Sequence, residues 1–285
     1  MRPKKTESEL RADVFTKLVE IFKNKSWEIE KGPNEASLFN RFCSTLSELE
    51  YDQQMLILEL TERFTRIKFE EYIIYIKKIL DNVINNEEIG IKNINNIYIA
   101  PLISPEDFGK SKSSTMVQYV IRGITPNIPE LAFKRIVYTD GLEVECEQIN
   151  TEDSILFLVD DFVGTGETAS SAIDYLINNK KVDKEKIVIL SIATLEVGVC
   201  FLQSLGVLIF TALVFKKGIS DSYPSKIASE KIALMESIEK KIKPHKNEKL
   251  GFKSSEALIT LIRTPNNTFP VFWKQKKDRI APFPR

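Results

Sequence analysis

Residues 155–179, ILFLVDDFVGTGETASSAIDYLINN, constrain the fold more than any other stretch of the chain. Ile155 to Val159 form an unbroken apolar run, the pattern of a central parallel strand covered on both faces. Asp160 and Asp161 follow at its C-terminal end, where open α/β sheets place their ligands. Gly164 and Gly166 permit a tight turn with positive φ. Thr168 stands where it can N-cap a helix with Ala172, Tyr175 and Leu176 on its inner side. Strand, glycine turn and helix together bring free backbone N–H groups and a positive helix end to one point, which suits a phosphate. Two carboxylates beside such a nest repel a phosphate unless sugar hydroxyls or a divalent cation offset them. Oxygen-only ligands favour magnesium over zinc.

The same residues admit rival readings. Gly164-Thr165-Gly166-Glu167-Thr168-Ala169 fits the dinucleotide pattern GxGxxA, but that pattern needs an acid about 20 residues on. Glu196 comes later than that, and Asp160-Asp161 would have no role. The absence of a GxxxxGK[ST] run argues against a Walker ATPase. The plain alternative is a strand-to-helix turn whose glycines and threonine are only structural.

The rest of the chain extends the α/β pattern. Ile97 to Ala100, Ala132 to Tyr138, Lys186 to Ile192 and Val207 to Phe215 read as strands, with a crossover helix from Glu196 to Leu205. Strand and helix alternating at this spacing predict a parallel, doubly wound sheet. Before it, apolar residues at three-to-four spacing predict four helices, the second beginning near Asn34 after a break at Gly32-Pro33. Residues 1–92 are therefore expected as an all-helical N-terminal extension and 93–285 as the α/β domain, divided at the Asn-rich connector. No N-terminal helix has a basic outward face, which weighs against a DNA-binding helix-turn-helix.

Two further segments carry polar groups of interest. In residues 101–115, PLISPEDFGKSKSST, Lys110 and Lys112 stand with Ser104, Ser111 and Ser113 ahead of a helix predicted from Met116. This is a second anion-binding candidate, or else a solvated surface loop. Near the C-terminus, Asn266, Asn267 and Trp273 offer amide groups and a stacking face that could read a heteroaromatic base. The plainer reading is an Asx turn beside a core tryptophan. His245 lies in a Lys-rich turn with no triad partners.

Composition narrows the classes. Forty basic and forty acidic residues cancel, so no global field favours nucleic acid or an anionic membrane. Cys43, Cys146 and Cys200 are isolated and odd in number, which fits reduced thiols and a cytoplasmic setting. The polar start lacks a signal-type apolar region, and the most apolar stretch, Val197 to Phe215, is interrupted by Gln203, Ser204 and Gly206, so no membrane span is expected.

The apolar strand, Asp160-Asp161, two apolar residues, Gly164 and then Thr165-Gly166-Glu167-Thr168 resemble the loop that binds phosphoribosyl pyrophosphate (PRPP) in type I phosphoribosyltransferases. The resemblance implies that Asp160 and Asp161 hold the ribose hydroxyls and magnesium, and that residues 163–168, Val163 to Thr168, hold the 5′-phosphate. The 101–115 segment is similar in position to that family's pyrophosphate loop. In purine-salvage relatives the position of Gly164 is often an Asp suited to general-base work, which leaves Glu167 as the nearby substitute. Gly251-Phe252 with SEALITLIRTPNNTFPVFW resembles the C-terminal signature of phosphoribosyltransferase-like proteins of bacterial conflict systems, some of them retron-associated. That likeness implies an antiviral defence effector acting on PRPP or a nucleotide by base transfer or nucleotide cleavage. Its candidate partners are a retron reverse transcriptase with its RNA, or a second copy of the chain. The alternative is a non-catalytic module that keeps the pocket to sense a nucleotide or hold a partner.

Overall fold

The computed structural model describes residues 10–30, 34, 36–110, 112–275 and 279–285. The Gly32-Pro33 break and Ser111 lie outside the described residues. In chain order, helices α1 (Ala12–Asn24), α2 (Leu38–Ser47) and α3 (Tyr51–Arg63) lead to a two-residue strand β1 (Thr65–Arg66) and to α4 (Phe69–Ile84). Next come β2 (Asn96–Pro101), α5 (Ser113–Ile124), α6 (Pro129–Ala132), β3 (Arg135–Tyr138), α7 (Cys146–Ile149) and β4 (Ser154–Val163). They are followed by α8 (Glu167–Asn178), β5 (Ile187–Leu195), α9 (Glu196–Ser204) and β6 (Leu208–Phe215). The last elements are α10 (Ser225–Ile242), β7 (Ile259–Thr260) and α11 (Pro270–Trp273).

These elements form two compact units, one of Lys68–Lys216 and one of Met1–Ile67 with Lys217–Arg285. In the first, five strands lie parallel in the order β3-β2-β4-β5-β6. This is the doubly wound α/β sheet predicted from the strand and helix alternation. The apolar runs of β2, β4 and β5 are buried on both faces, as central parallel strands require, while the edge strands β3 and β6 are mostly half-buried. One face packs Leu156, Leu158 and Ile189 with Ala172, Ile173 and Leu176 of α8. Helix α4 packs on α5, β5 and β6, so it belongs to the sheet unit. The sequence boundary at 92/93 differs from this division, because α4 spends its apolar stripe on the sheet.

In the other unit, α1, α2 and α3 share an aromatic core with α10, α11 and the C-terminal segment. The Phe64 ring stacks on Phe283 with centroids 4.8 Å apart, and Phe272 meets Phe64 at 4.7 Å. Strands β1 and β7 pair in parallel within the same unit. Of the Ala257 to Ile262 stretch only β7 forms a strand, and the following apolar run coils into α11 from Pro270, whose fixed φ suits a first helical position. Likewise Pro129 starts the short α6, so β3 begins at Arg135 and not at Ala132.

Ser37, not Asn34, caps α2. Its Oγ accepts the Asn40 N–H at 3.2 Å, while Asn34 Oδ1 accepts from Ala36 N–H in the preceding turn. Ser37→Ala is expected to cost about 1 kcal/mol, read as a lower urea midpoint at unchanged slope.

Candidate functional site

In the strand order, the winding reverses between β2 and β4, the crevice where open α/β sheets bind ligands. Strand β2 pairs with β4 as far as Pro101 opposite Val159, and Leu102 N–H still reaches Val159 O at 2.8 Å. Strand β4 then runs on through the two acids to Val163, paired only with β5. The acids therefore sit on a one-sided extension of the strand, a step longer than the predicted apolar run. The segment after β2 and the loop after β4 leave from this same crevice. They are tied together by Phe108, whose ring meets Tyr175 of α8 edge-on at 5.4 Å.

The loop after β4 is shaped by close backbone approaches. Gly166 has φ +86°, and a Cβ there would also lie 2.7 Å from the Phe201 ring of α9. On α9, a Cβ at Gly198 would come closer than 3.0 Å to the Gly164 carbonyl oxygen, a separation real Cβ atoms do not show. The loop thus rests directly on the first turns of α9. Gly166, not Thr168, is the N-cap of α8, and Thr168 lies exposed in the first helical turn. The left-handed cap position takes a glycine more readily than a threonine. The first-turn N–H groups have no intrahelical acceptor, and Ser170 is bonded to Gly166 O at 2.8 Å. Val163 is buried, Gly164 and Thr165 are half-buried, and Glu167 is the exposed first residue of α8. An anion placed at Thr165 to Thr168 would lie at the positive end of the α8 dipole.

The acids are held unequally. Asp161 is 4% exposed; its Oδ1 accepts from Ser113 Oγ at 2.7 Å and its Oδ2 from Tyr72 OH at 2.9 Å. Asp160 is half-buried, and its Oδ1 accepts the Asp161 backbone N–H at 2.8 Å, with Ser113 Oγ further off at 3.4 Å. Burial, then the Asp161 charge, push the Asp160 carboxyl well above the ordinary 3.8. Burial raises Asp161 too, against the hydroxyl bonds from Ser113 and Tyr72 that pull it back.

Ser113, the first residue of α5, is thereby brought to the acids, since α5 begins there and not at Met116. Lys110 and Lys112 instead meet Asp107 in their own loop, at 2.8 and 2.6 Å, and hold its carboxyl below the usual range. Ser104 precedes the turn at Pro105–Asp107. The proposed base readers lie in the other unit, where Asn267 Nδ2 donates to Ser255 Oγ at 3.1 Å and Trp273 Nε1 to Thr268 O at 2.7 Å. Asn267 and Trp273 are buried there, and Asn266 O accepts the Phe252 N–H. The polar groups of Asn267 and Trp273 are thus committed to their own unit.

Tyr72, Asp107 and Gly198 did not emerge from the sequence reading. A glycine inside the predicted helix at Glu196 was a signal of close backbone approach, and Asp107 sat within the lysine loop. Nothing local marks Tyr72, which lies 89 positions from its acid.

Among the described residues no trio of His, Cys, Asp or Glu could hold a metal by itself. No helix of the described residues is long and apolar enough to cross a membrane. A family model described as PRTase-CE matches residues 41–285. Orotate phosphoribosyltransferase from Aeropyrum pernix is similar at 12% identity over 59% of this chain and 75% of that one, with a TM-score of 0.28. Helicobacter pylori xanthine-guanine-hypoxanthine phosphoribosyltransferase is 10% identical over 53% and 84%, with a TM-score of 0.29. A hypothetical protein from Neisseria gonorrhoeae with bound ppGpp is 11% identical over 61% and 97%, with a TM-score of 0.31. No curated protein matches the chain.

Proposed function

This chain belongs to the PRTase-CE family, and from that premise we propose that it binds PRPP or a nucleotide with magnesium and acts at the ribose anomeric carbon. The observation that carries the reading is the juxtaposition, at the sheet's switch point, of carboxylates ending β4 with the open N-terminus of α8. The first-turn amides of α8 and the Thr165 and Thr168 hydroxyls bind the 5′-phosphate, and the acidic end of β4 faces the ribose. An oxygen-only donor set of one or two carboxylates fits magnesium, which takes its other positions from water and ligand oxygens. Bound with the ligand, the cation would neutralise phosphate charge as the leaving group departs.

In base transfer the bond from the anomeric carbon to pyrophosphate breaks and one to a base nitrogen forms. With water as nucleophile on a nucleotide, the bond to the base breaks, one to the water oxygen forms, and the base departs with a proton. Negative charge beside the ribose stabilises the oxocarbenium-like transition state in either case. Gly164 offers no side chain for proton transfer, so Glu167 at the start of α8 is the loop's candidate acid or base. The likeness of residues 251–273 to conflict-system proteins supports a role in antiviral defence, with a retron reverse transcriptase and its RNA as candidate partners.

A non-catalytic nucleotide sensor is the second reading. It is favoured by the pairing of both loop lysines with Asp107, which leaves less positive charge for a departing pyrophosphate. Phosphorus NMR of the protein with magnesium and PRPP, with and without bases, separates the two. The transferase reading expects a growing pyrophosphate resonance. Perturbed PRPP resonances without turnover would favour the sensor, and unperturbed ones would remove the phosphate site altogether.

A further inference from the structure

Side chains alternate across a strand, so Asp161 shares a face with Phe157 and Val159 while Asp160 shares the other with Leu156 and Leu158. Both oxygens of Asp161 are occupied inside the protein, one by Tyr72 of α4 and one by Ser113 of α5. Ser113 has a single hydroxyl hydrogen, and 2.7 Å to Asp161 against 3.4 Å to Asp160 directs it to Asp161. Tyr72 is fully buried, so Asp161 cannot turn to a ligand without giving up a hydrogen bond in a dry setting. No described residue donates to the second oxygen of Asp160, and that residue is only half-buried.

We propose that the two acids have separate roles: Asp160 alone meets the ligand, and Asp161 is a positioning residue anchored by Tyr72 and Ser113. The anchoring runs through the backbone to the working carboxylate. Tyr72 and Ser113 fix the Asp161 side chain, which fixes its peptide, whose N–H holds Asp160 Oδ1 at 2.8 Å. Helix α4, which the sequence places outside the α/β domain, is then part of what orients the site. So is Ser113, acting on an acid and not on a pyrophosphate. The inference rests on the phosphoribosyl reading of the pocket for its ligand, but the anchoring itself does not.

The test compares Tyr72→Phe, Asp161→Asn, their double variant and Asp160→Asn, by calorimetric titration of PRPP in magnesium and by thermal unfolding. Asp160→Asn is expected to weaken binding by about a hundredfold. Tyr72→Phe and Asp161→Asn should each weaken it by about tenfold, the usual scale for a group that orients a ligand-holding side chain. The double variant should be no weaker than the worse single one, because both act on one link. Binding weakened as far in Asp161→Asn as in Asp160→Asn would overturn the division of roles. So would full affinity in Tyr72→Phe, a variant that keeps the buried ring and decides the matter if Asp161→Asn fails to fold. If the unaltered protein binds no PRPP, the pocket reading fails while the anchoring remains testable. Unfolding midpoints of Tyr72→Phe and Asp161→Asn should then combine to less than their sum, and simple additivity would refute the link.

Discussion

Gly198→Ala is expected to destabilise the protein by about 3 kcal/mol, the upper part of the usual range for overpacking a tight contact. The same change is expected to weaken any ligand bound at the loop after β4 by about tenfold or more, roughly 1.4 kcal/mol. The added Cβ would collide with the Gly164 carbonyl oxygen and also meet the Gly164 carbonyl carbon at 3.3 Å and Val163 Cγ1 at 3.5 Å. Two of those atoms are backbone, so no side-chain rotation relieves the overlap. Either α9 lifts, disturbing the fully buried Leu202, or the Val163-Gly164 peptide moves and takes the phosphate nest with it. Gly123→Ala is the matched control, since its Cβ would meet nothing within 4 Å inside α5. That change should be neutral or stabilising by up to about 1 kcal/mol. Urea denaturation and calorimetric titration of both variants check the pair. Equal behaviour would mean that α9 does not support the loop.

Gly198 also shows where reading the chain residue by residue stops. The apolar run at Ile155 to Val159 announces β4 because five buried side chains in succession fit a covered parallel strand. Its continuation through Asp160 to Val163 depends on β5 still offering a partner after β2 has ended, which is a property of the neighbours. The helix after the glycines was equally legible, but its cap was not. Threonine is the better cap by composition, yet φ +86° at Gly166 settles the helix start two residues earlier. Trp273 is the clearest case of chemistry that composition cannot locate. Its indole N–H has the right character for recognition, and the fold uses it to satisfy the Thr268 carbonyl. Nor does a linear reading reveal that α10, α11 and Phe283 return to the N-terminal helices. Only aromatic packing across more than two hundred positions makes Phe64 and Phe283 neighbours.

Asp160→Asn should move stability and binding in opposite directions. Without ligand or magnesium, the folded protein holds the Asp160 proton to a higher pH than the unfolded chain does, because burial and the Asp161 charge oppose ionisation. Below the ordinary value of 3.8 both states are protonated and no penalty exists. As pH rises from there toward the elevated folded pKa, the unfolded chain releases the proton first, so stability falls, by about 1.4 kcal/mol for each unit of displacement. Above the folded pKa the penalty is constant. An amide removes it while its oxygen still accepts the Asp161 N–H. Asp160→Asn should therefore raise the unfolding free energy at neutral pH and flatten its decline above pH 3.8, and leave stability unchanged in stronger acid. The same amide loses the charge that strengthens hydrogen bonds from ribose hydroxyls, worth about 1.5–3 kcal/mol each. Affinity for magnesium and PRPP should consequently drop by about a hundredfold, roughly 2.7 kcal/mol. Denaturation at a series of pH values and titration at neutral pH read the two effects separately. A variant no more stable than the parent at neutral pH would show that Asp160 is not held against its preferred charge. Unchanged affinity in a stabilised variant would mean that the strained carboxylate serves something other than the ribose. Burying a carboxylate against its neighbour's charge is a cost the fold sustains, and a ligand whose hydroxyls and cation relieve it would account for keeping both acids at the end of β4.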